Sequence, residues 1–324
     1  MARRKAQRMK SIQPAVTRLW FKISSRSSYN FVDLSLACSA ANRRFYRQGT
    51  TWAVGGMSLH TSPDGTTAPS GSFTVSKLPD TWIAKNAHTK AKQLWMESQN
   101  QVLDDQPSVA AKYRDFKIYM DKDMVGASIW DTDAPADTGA IMMPIDAGDF
   151  ITKKGEWEYS TIQIPVSGGS VVPKEITMHM VGNDDSDSRG LIHGYGLSRS
   201  RPQEVDPNTP TDGGWMNNVF DVADNLDEIR EDVTENNDRP PYRVGEADEA
   251  EEYYPGGKSN SPGLALLSKN YVTSTTVGGK THAEGGMIGC GLLRFDWNVS
   301  DTTDMYLSID LVPGQYKGYL TEVY

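Results

Sequence analysis

The sequence contains few cysteines, few histidines and no long apolar run, and each shortage argues against a class of protein. No apolar run reaches the roughly 18 residues that a membrane-spanning helix needs. Two cysteines, Cys38 and Cys290, are too few for a disulfide framework, and their apolar contexts predict buried free thiols. The five histidines include no His-x-x-x-His pair and none lies near a cysteine, so zinc is not expected. The sequence predicts no cofactor.

Acidic residues are absent from one part of the chain and concentrated in another. Residues 1–26 hold eight basic side chains and no Asp or Glu, whereas residues 204–252 hold 16 acidic side chains against three arginines. The net charge of the whole chain is only −9, so the imbalance is local. A basic arm on an acidic body is typical of a protein whose one end touches a polyanion while another surface avoids it. This pattern favours a shell protein around nucleic acid over a soluble enzyme.

The first 14 residues are basic and polar and end at Pro14, which predicts a disordered arm. We expect its cationic side chains to contact phosphate without reading base sequence, so that binding weakens as salt is added. A nuclear import signal or a solubilising tail is the alternative interpretation of such an arm. The candidate residues of the arm are Arg3, Arg4, Lys5, Arg8 and Lys10.

Beyond the arm, short segments alternate apolar and polar residues. In the first of them Arg18 and Lys22 share one face, opposite apolar side chains such as Phe21, and we expect the two cations to line an inner wall beside the arm. Eight to ten such segments are separated by loops rich in Gly, Pro and Asp. They predict an all-β, antiparallel sandwich built by residues 15–324 as a single domain.

Two segments depart from this alternation. Between residues 81 and 106 apolar side chains recur at spacings near 3.6, which predicts one amphipathic helix with Asp80 as its N-cap and Pro107 as its stop. We interpret this helix as a clamp across a sheet edge or an end of the sandwich. Residues 200–262 are rich in proline and acid, and we expect them to form a long excursion on the outer surface.

A second basic cluster consists of Arg43, Arg44 and Arg47, which surround Phe45 and Tyr46 in the sequence. In one interpretation a nucleic-acid base stacks on one of these aromatic rings. In the other, the arginines pair with carboxylates of a neighbouring subunit. The sequence leaves both interpretations open.

Three neighbouring aspartates, Asp184, Asp185 and Asp187, offer the oxygen ligands that calcium prefers. Their spacing matches no EF-hand loop, and a solvated turn is the simpler interpretation. A cation shared at a subunit contact is the second hypothesis. These three residues are the candidate metal ligands, and the first expectation is that no metal is bound.

The motifs of enzymes are mostly missing. Residues 277–281 (VGGKT) look like a phosphate-binding loop, but the first glycine of that motif is absent and a strand pattern follows instead of a helix. No Gly-x-Ser-x-Gly elbow occurs. The sequence therefore predicts no enzyme. The competing function is a β-sandwich module that binds a ligand or carbohydrate, with Tyr253 and Tyr254 of the acidic segment as candidate contacts.

Six blocks of the sequence, in collinear order, carry a resemblance to a known family. They are residues 36–49 (LACSAANRRFYRQG), 77–82 (KLPDTW), 113–119 (YRDFKIY), 179–182 (HMVG), 311–314 (LVPG) and 318–320 (GYL). Together they resemble the capsid proteins of circular single-stranded DNA viruses, most closely those of uncultured environmental viruses.

This resemblance implies a single eight-stranded jelly roll with long inter-strand loops, and a structural role. Copies of the chain would assemble, in multiples of sixty, into an icosahedral shell that packages single-stranded DNA. The protein would reside in the virion, and the import-signal interpretation adds the host nucleus during assembly. One departure is that the arm is shorter and less rich in arginine than in many such capsids. Strong neutralisation of DNA by the arm alone is therefore not expected.

Overall fold

The structure is a computed structural model in which most of the chain can be described. The described residues are 14–24, 27–61, 70–105, 107–109, 114–133, 135–146, 148, 150–166, 172–198, 263–273, 279–300 and 305–324. Residues 1–13 of the arm and residues 199–262 of the acidic segment lie outside these ranges. The predictions of a disordered arm and of an outer excursion therefore stay predictions.

Three α-helices and seventeen strands occur in the described ranges, and the mostly β composition confirms the all-β prediction at the level of class. The helices are α1 (Leu34–Asn42), α2 (Trp82–Asp105) and α3 (Leu191–Leu197). The strands of the first half are β1 (Arg18–Ile23), β2 (Tyr29–Asp33), β3 (Thr50–Thr61), β4 (Ser70–Lys77), β5 (Tyr119–Asp121), β6 (Ile129–Trp130), β7 (Ile141–Met142) and β8 (Thr161–Val166). The others are β9 (Val172–Val181), β10 (Ser188–Gly190), β11 (Ala265–Val272), β12 (Lys280–Ile288), β13 (Leu292–Ser300), β14 (Met305–Leu311), β15 (Pro313–Gly314), β16 (Gly318–Tyr319) and β17 (Thr321–Val323).

Two large sheets contain the long strands. In the first sheet the order is β1-β14-β3-β12, all antiparallel, with the short β17 also paired to β3. In the second sheet β11-β4-β13-β2 are antiparallel, and β7 and β6 extend it in parallel beyond β2. Neighbours in space come from distant parts of the chain, so the sheets close only when the whole domain has folded.

The inward faces of both sheets form one hydrophobic core. It contains alternate residues of each strand, because successive side chains of a strand point to opposite faces. Phe21 of β1, Leu59 of β3, Phe295 of β13 and Leu307 of β14 are all fully buried in it. The alternation read from the sequence is thus the signature of this core.

A second core is built mostly by the chain segment between β4 and β11, and Phe31 of β2 and Leu292 of β13 contribute to it. In that segment the sequence pattern had indicated only further strands and a clamping helix. This segment builds a third sheet, in which β8, β10 and β5 each pair with β9. The same segment also contains α2 and α3. Its apolar cluster includes Trp95 of α2, Ile162 of β8 and Met178 of β9. The alternating segments around 116–120, 162–166 and 176–180 therefore do form strands, but outside the two large sheets.

The predicted amphipathic helix is confirmed as α2. Its buried side chains lie about one turn apart along one face, and four of them, Ala84, Ala87, Ala91 and Trp95, belong to the second core. The buried side chains are Ile83, Ala84, Ala87, His88, Ala91 and Trp95.

The first turn of α2 is capped by a different residue from the one predicted. The Thr81 hydroxyl accepts a hydrogen bond from the Ala84 N–H at 3.3 Å, the reach of an N-cap side chain. Asp80 lies one residue too early for this bond and instead pairs with Lys85 at 2.7 Å. Among the described residues, no helix is both long and apolar enough to cross a membrane.

Helix α1 was not predicted from the sequence. Its first five residues are all buried, so the helix lacks the exposed polar face by which an amphipathic helix is recognised in a sequence. The start of the helix is fixed by Asp33, whose Oδ1 accepts hydrogen bonds from the N–H groups of Ser35 and Leu36 at 2.9 and 3.2 Å. Its end is fixed by Arg43, which takes up the left-handed conformation (φ 52°) and donates its N–H to Ala40.

The other oxygen of Asp33 holds a buried junction between the two cores. Gln48 donates from Nε2 to Asp33 Oδ2 at 2.9 Å and to the Ile118 carbonyl at 3.0 Å, while its Oε1 accepts from the Ile118 N–H at 2.7 Å. Tyr159 Oη also donates to Asp33 Oδ2 at 3.3 Å. Burial raises the pKa of Asp33 to about 6, and the hydrogen bonds that it accepts limit this rise.

A test of this junction follows from the sign of that pKa change. The folded state keeps the Asp33 proton up to about pH 6, whereas the unfolded chain releases it near pH 4. Stability should therefore fall as the pH rises through this window. The free energy of unfolding of wild type, relative to Asp33→Asn, should drop by about 2 kcal/mol between pH 4 and pH 7, measured by urea unfolding at each pH.

The alanine variant separates the charge from the cap. Asp33→Ala should remove the same pH dependence and in addition lower the whole curve by about 0.5–2 kcal/mol, since alanine caps helices poorly and asparagine caps them well. An Asp33→Asn variant whose stability keeps the wild-type pH dependence would refute the assignment.

Candidate nucleic-acid interface

The chain that leads out of the basic arm is fixed against the end of α1. The Val16 N–H donates to Asn42 Oδ1 at 2.9 Å, and Tyr319 Oη donates to the Val16 carbonyl at 2.6 Å. Arg44 Nη1 donates to the Pro14 carbonyl at 3.2 Å. The arm therefore leaves the domain at a defined place, beside the start of β1. Its own candidate residues, Arg3, Arg4, Lys5, Arg8 and Lys10, lie outside the described residues.

Strand β1 carries the remaining two candidates of the N-terminal region. Its side chains alternate between buried and partly exposed, so that Leu19, Phe21 and Ile23 enter the core. Arg18 and Lys22 lie together on the opposite, solvent-facing side of the sheet, as predicted.

The register of the sheet continues this side across three further strands. We call the result the polar face, and it consists of three rows of cross-strand neighbours. The rows are Arg18–Asp310–Gly56–Glu284, Trp20–Ser308–Ser58–His282 and Lys22–Tyr306–His60–Lys280. Side chains directly opposite on neighbouring strands are close enough to act together. The polar face thus joins cations, two histidines and two aromatic rings in one surface.

The charge of Arg18 is largely balanced within the polar face. Its guanidinium makes a two-point contact with Asp310, at 2.5 Å from Nε to Oδ1 and 2.9 Å from Nη2 to Oδ2. This contact raises the pKa of Arg18 and lowers that of Asp310. Arg18 therefore stays cationic but already has an anion, so we expect a smaller share of phosphate binding from it than from Lys280.

Two histidines lie in the middle of the polar face. The His60 ring packs against Trp20 with centroids 4.8 Å apart, and its Nε2 lies 3.3 Å from the Ser308 hydroxyl. His282 Nδ1 lies 3.0 Å from the Ser58 hydroxyl. Burial, followed by the charges of Lys280 and Arg18, lowers the pKa of His60. At neutral pH this ring is therefore uncharged, and it becomes a further cation only in acid or beside an anion.

The second basic cluster is only partly as predicted. Arg43, Arg44 and Arg47 are all exposed at the end of α1 and in the segment after it. Tyr46, in contrast, is fully buried, and its hydroxyl donates to the Lys317 carbonyl at 3.0 Å. Base stacking on Tyr46 is therefore excluded, because the ring completes an aromatic cluster of the core. The exposure of the three arginines is compatible with DNA and with a neighbouring subunit.

Phe45 is half-buried and also faces the interior. It packs against Trp157 with ring centroids 6.1 Å apart, and Lys117 lies over its ring at 5.7 Å. The ring is therefore already covered on that side. Alternation of Arg and aromatic residues in the sequence did not reveal that this segment runs into the core.

Each of the three aspartates proposed as calcium ligands is paired with a basic side chain. Asp184 lies 3.6 Å from Arg189, Asp185 lies 3.0 Å from Lys122, and Asp187 lies 3.2 Å from Lys174. Asp184 also accepts the Gly190 N–H at 2.9 Å. No cluster of three or more potential metal ligands occurs in the described part of the chain. The shared-cation hypothesis is therefore not supported here, and the ion-paired turn explains the three carboxylates.

Most residues of the polar face were not predicted from the sequence. Lys280 is the lysine of the VGGKT segment that resembles a phosphate-binding loop. It is the first residue of β12, so a strand follows it, as predicted. His60, Tyr306 and Ser308 alternate with core residues, which was the available signal for their outward direction. Their positions beside Trp20 and Lys22 depend on register between strands about 250 residues apart, which no local pattern contains.

Such a surface can bind phosphate groups by charge and bases by contact with Trp20 and Tyr306, without reading sequence. Comparison of the chain with models of known protein families, with curated proteins and with solved structures found no match.

The histidine at the centre of the polar face provides a test. A bound phosphate near His60 should favour its protonated form, so its pKa should rise toward or above the ordinary 6.5 when oligothymidylate binds. By linkage, binding should tighten as the pH falls through that range. NMR titration of the His60 ring with and without the oligonucleotide measures the change.

His88 is the internal control for this titration. It lies in the second core, where burial lowers its pKa to about 3, and it should not respond to the oligonucleotide. An unchanged His60 titration under saturating oligonucleotide would remove the polar face as the binding surface.

Proposed function

We propose that this chain is the coat subunit of a circular single-stranded DNA virus. Copies of it assemble into a closed icosahedral shell, and the basic arm and the polar face hold the packaged DNA. The observation that carries this proposal is that the basic arm is continuous in the chain with β1, the strand that begins the polar face. The arm leads directly, through Pro14 and Val16, into the edge strand whose outer face carries Arg18 and Lys22.

The strand order supports the jelly roll that such a shell needs. The eight long strands, counted in chain order as β1, β2, β3, β4, β11, β12, β13 and β14, pair as 1-8-3-6 in one sheet and 5-4-7-2 in the other. Two packed four-stranded sheets with such long connections are typical of jelly rolls, which occur in viral capsids and also in lectins and cupins. We infer a jelly roll whose fourth and fifth strands are joined by a long insertion containing the second core.

Charge asymmetry supports the orientation. Residues 204–252 carry 16 of the 42 acidic side chains and belong to that same insertion, whereas the arm leads into the other large sheet. We propose that the acidic segment projects from the outer surface of the shell and that the polar face lines its interior. Like charges on the outside would keep particles apart, while the interior gathers DNA.

The arm can be tested by removing it. Deletion of residues 2–10 takes away five positive charges but none of the described sheets, so particles should form and contain less DNA. Negative-stain microscopy reports the particles, and absorbance at 260 nm relative to 280 nm reports the DNA. A variant with the five basic residues changed to Gln keeps the length of the arm and isolates its charge.

Two results would count against these roles. Particles with undiminished DNA would remove the arm from the proposal. A chain that sediments as a monomer or small oligomer under all conditions would favour the β-sandwich ligand- or carbohydrate-binding module instead.

The polar face can be tested separately through salt dependence. Lys280→Gln should weaken binding of single-stranded DNA and reduce the slope of log K against log salt by about 1, since one phosphate contact is lost. Lys269→Gln is the matched control, because Lys269 is exposed on β11 of the opposite sheet. Equal effects of the two substitutions would show that the charge of the polar face has no special part in binding.

A further inference from the structure

A cleft of about 830 Å³ opens at the edge of the polar face where the arm leaves the domain. Three elements surround it: the outer side of β1, the end of α1, and the turn that follows β7. Its lining combines cations with aromatic side chains, which is unusual for a cleft that only fills space. The residues that matter for its chemistry are Arg18, Trp20, Arg43, Phe150, Lys153 and Tyr306.

Phe150 is the most exposed aromatic residue of the cleft, with 64% of its surface accessible. Its backbone is nevertheless fixed, because its carbonyl accepts the Asp146 N–H at 2.7 Å and a bridge joins Ile145 to Ile151. The Ile145 N–H in turn donates to the Trp20 carbonyl of β1 at 2.8 Å. Phe150 thus presents a large apolar ring to solvent from a backbone that these hydrogen bonds hold. Single exposed rings are common on protein surfaces, and Phe150 is distinguished by its place among the cations of the cleft.

Arg43 is the second feature of the cleft that lacks a partner. It occupies the left-handed position that ends α1, where the backbone turns and directs the chain out of the helix. Its guanidinium has no hydrogen bond or ion pair with any residue that the structure describes. Lys153 lies in the same cleft and donates to the Asp131 carbonyl, which holds its ammonium group without neutralising it. The lining also contains one acidic residue, Asp146, which comes before the turn, whereas Lys153 comes after it.

We propose that this cleft binds one nucleotide of single-stranded DNA, with the base against Phe150 and the phosphate on Arg43 and Lys153. The proposal rests on the proposed function and goes further, since it assigns a base-stacking site to a surface otherwise argued from charge. A guanidinium is suited to phosphate because it offers a planar fork of donors. An aromatic ring accepts any base, which suits packaging of DNA irrespective of sequence.

The position of the cleft fits this ligand. Pro14 and Val16 follow the arm, and Val16 itself lines the cleft, so a strand of DNA held by the arm passes its mouth. Arg18 and Tyr306 belong to both the cleft and the polar face, so the two surfaces are continuous. A DNA strand could therefore run from the polar face to the arm with one base turned into the cleft.

The test compares two probes of equal charge on the full-length chain. One is a pentamer of thymidylate and the other is the same backbone with abasic sites, each measured by fluorescence anisotropy at low salt. Wild type should bind the thymidylate probe about tenfold more tightly, the gain expected from one base–aromatic stack. Phe150→Ala should reduce this preference several-fold, leaving only what Trp20 and Tyr306 contribute, and Phe150→Tyr should keep it.

Substitutions of Arg43 test the phosphate contact. Arg43→Gln should weaken both probes by a similar factor, and Arg43→Lys should restore part of the affinity, because the loss concerns charge and not base. Tyr271→Ala is the matched control: Tyr271 is 67% exposed but lies on β11 of the other sheet, so its removal should change neither probe. Thermal unfolding of each variant verifies that the domain remains folded.

The outcomes separate this proposal from the proposed function. A Phe150→Ala protein that keeps the full preference for thymidylate would overturn the cleft as a base site, even if shells with DNA form normally. Absence of shells and DNA from every preparation would count against the coat-protein function. A thymidylate preference that depends on Phe150 in the same preparations would still support the cleft.

Discussion

The buried contact between Asp33 and Gln48 is the constraint on which the arrangement of the two cores depends. Asp33 ends a strand of the second large sheet and caps α1, while Gln48 pairs with the backbone of Ile118 as an additional strand residue would. All of these groups are buried, so each would be costly if it lost its partner. The junction therefore sets where α1 begins and where the chain enters β3. Through that geometry it also sets the position of Arg43 at the mouth of the cleft.

The polar face follows from a second constraint, the alternation of side chains along strands. Once Leu59 and Leu307 are committed to the core, their neighbours His60 and Tyr306 must point to solvent. A shift of one residue between β14 and β3 would exchange the two sets. The large buried surface of the core thus fixes which polar groups meet on the outside, although those groups contribute little to stability themselves. Packing of the core-facing side chains therefore fixes the positions of the side chains on the polar face.

The proposed coat function fits this division of labour. A packaging surface must bind many different sequences, so contacts to phosphate and stacking on aromatic rings suit it better than hydrogen bonds to base edges. The polar face and the cleft offer contacts of these two kinds, while the insertion between β4 and β11 carries its own core and the acidic segment. We propose that the two large sheets form the shell wall and that the insertion builds its outer surface.

The sequence by itself determined the local features. Alternation along β1 placed Arg18 and Lys22 on one face, and the 3.6-residue period located α2, because both signals reside in neighbouring residues. The sequence did not reveal α1, because the first half of this helix is buried on all sides. It also did not reveal that Tyr46, a candidate nucleic-acid contact in the sequence, is buried in the core. The strand order, the meeting of Lys22 with His60 and Lys280, and the cleft between β1 and Phe150 were decided only by the tertiary structure. Each joins residues tens to hundreds of positions apart, and only the packing of both sheets selects their register.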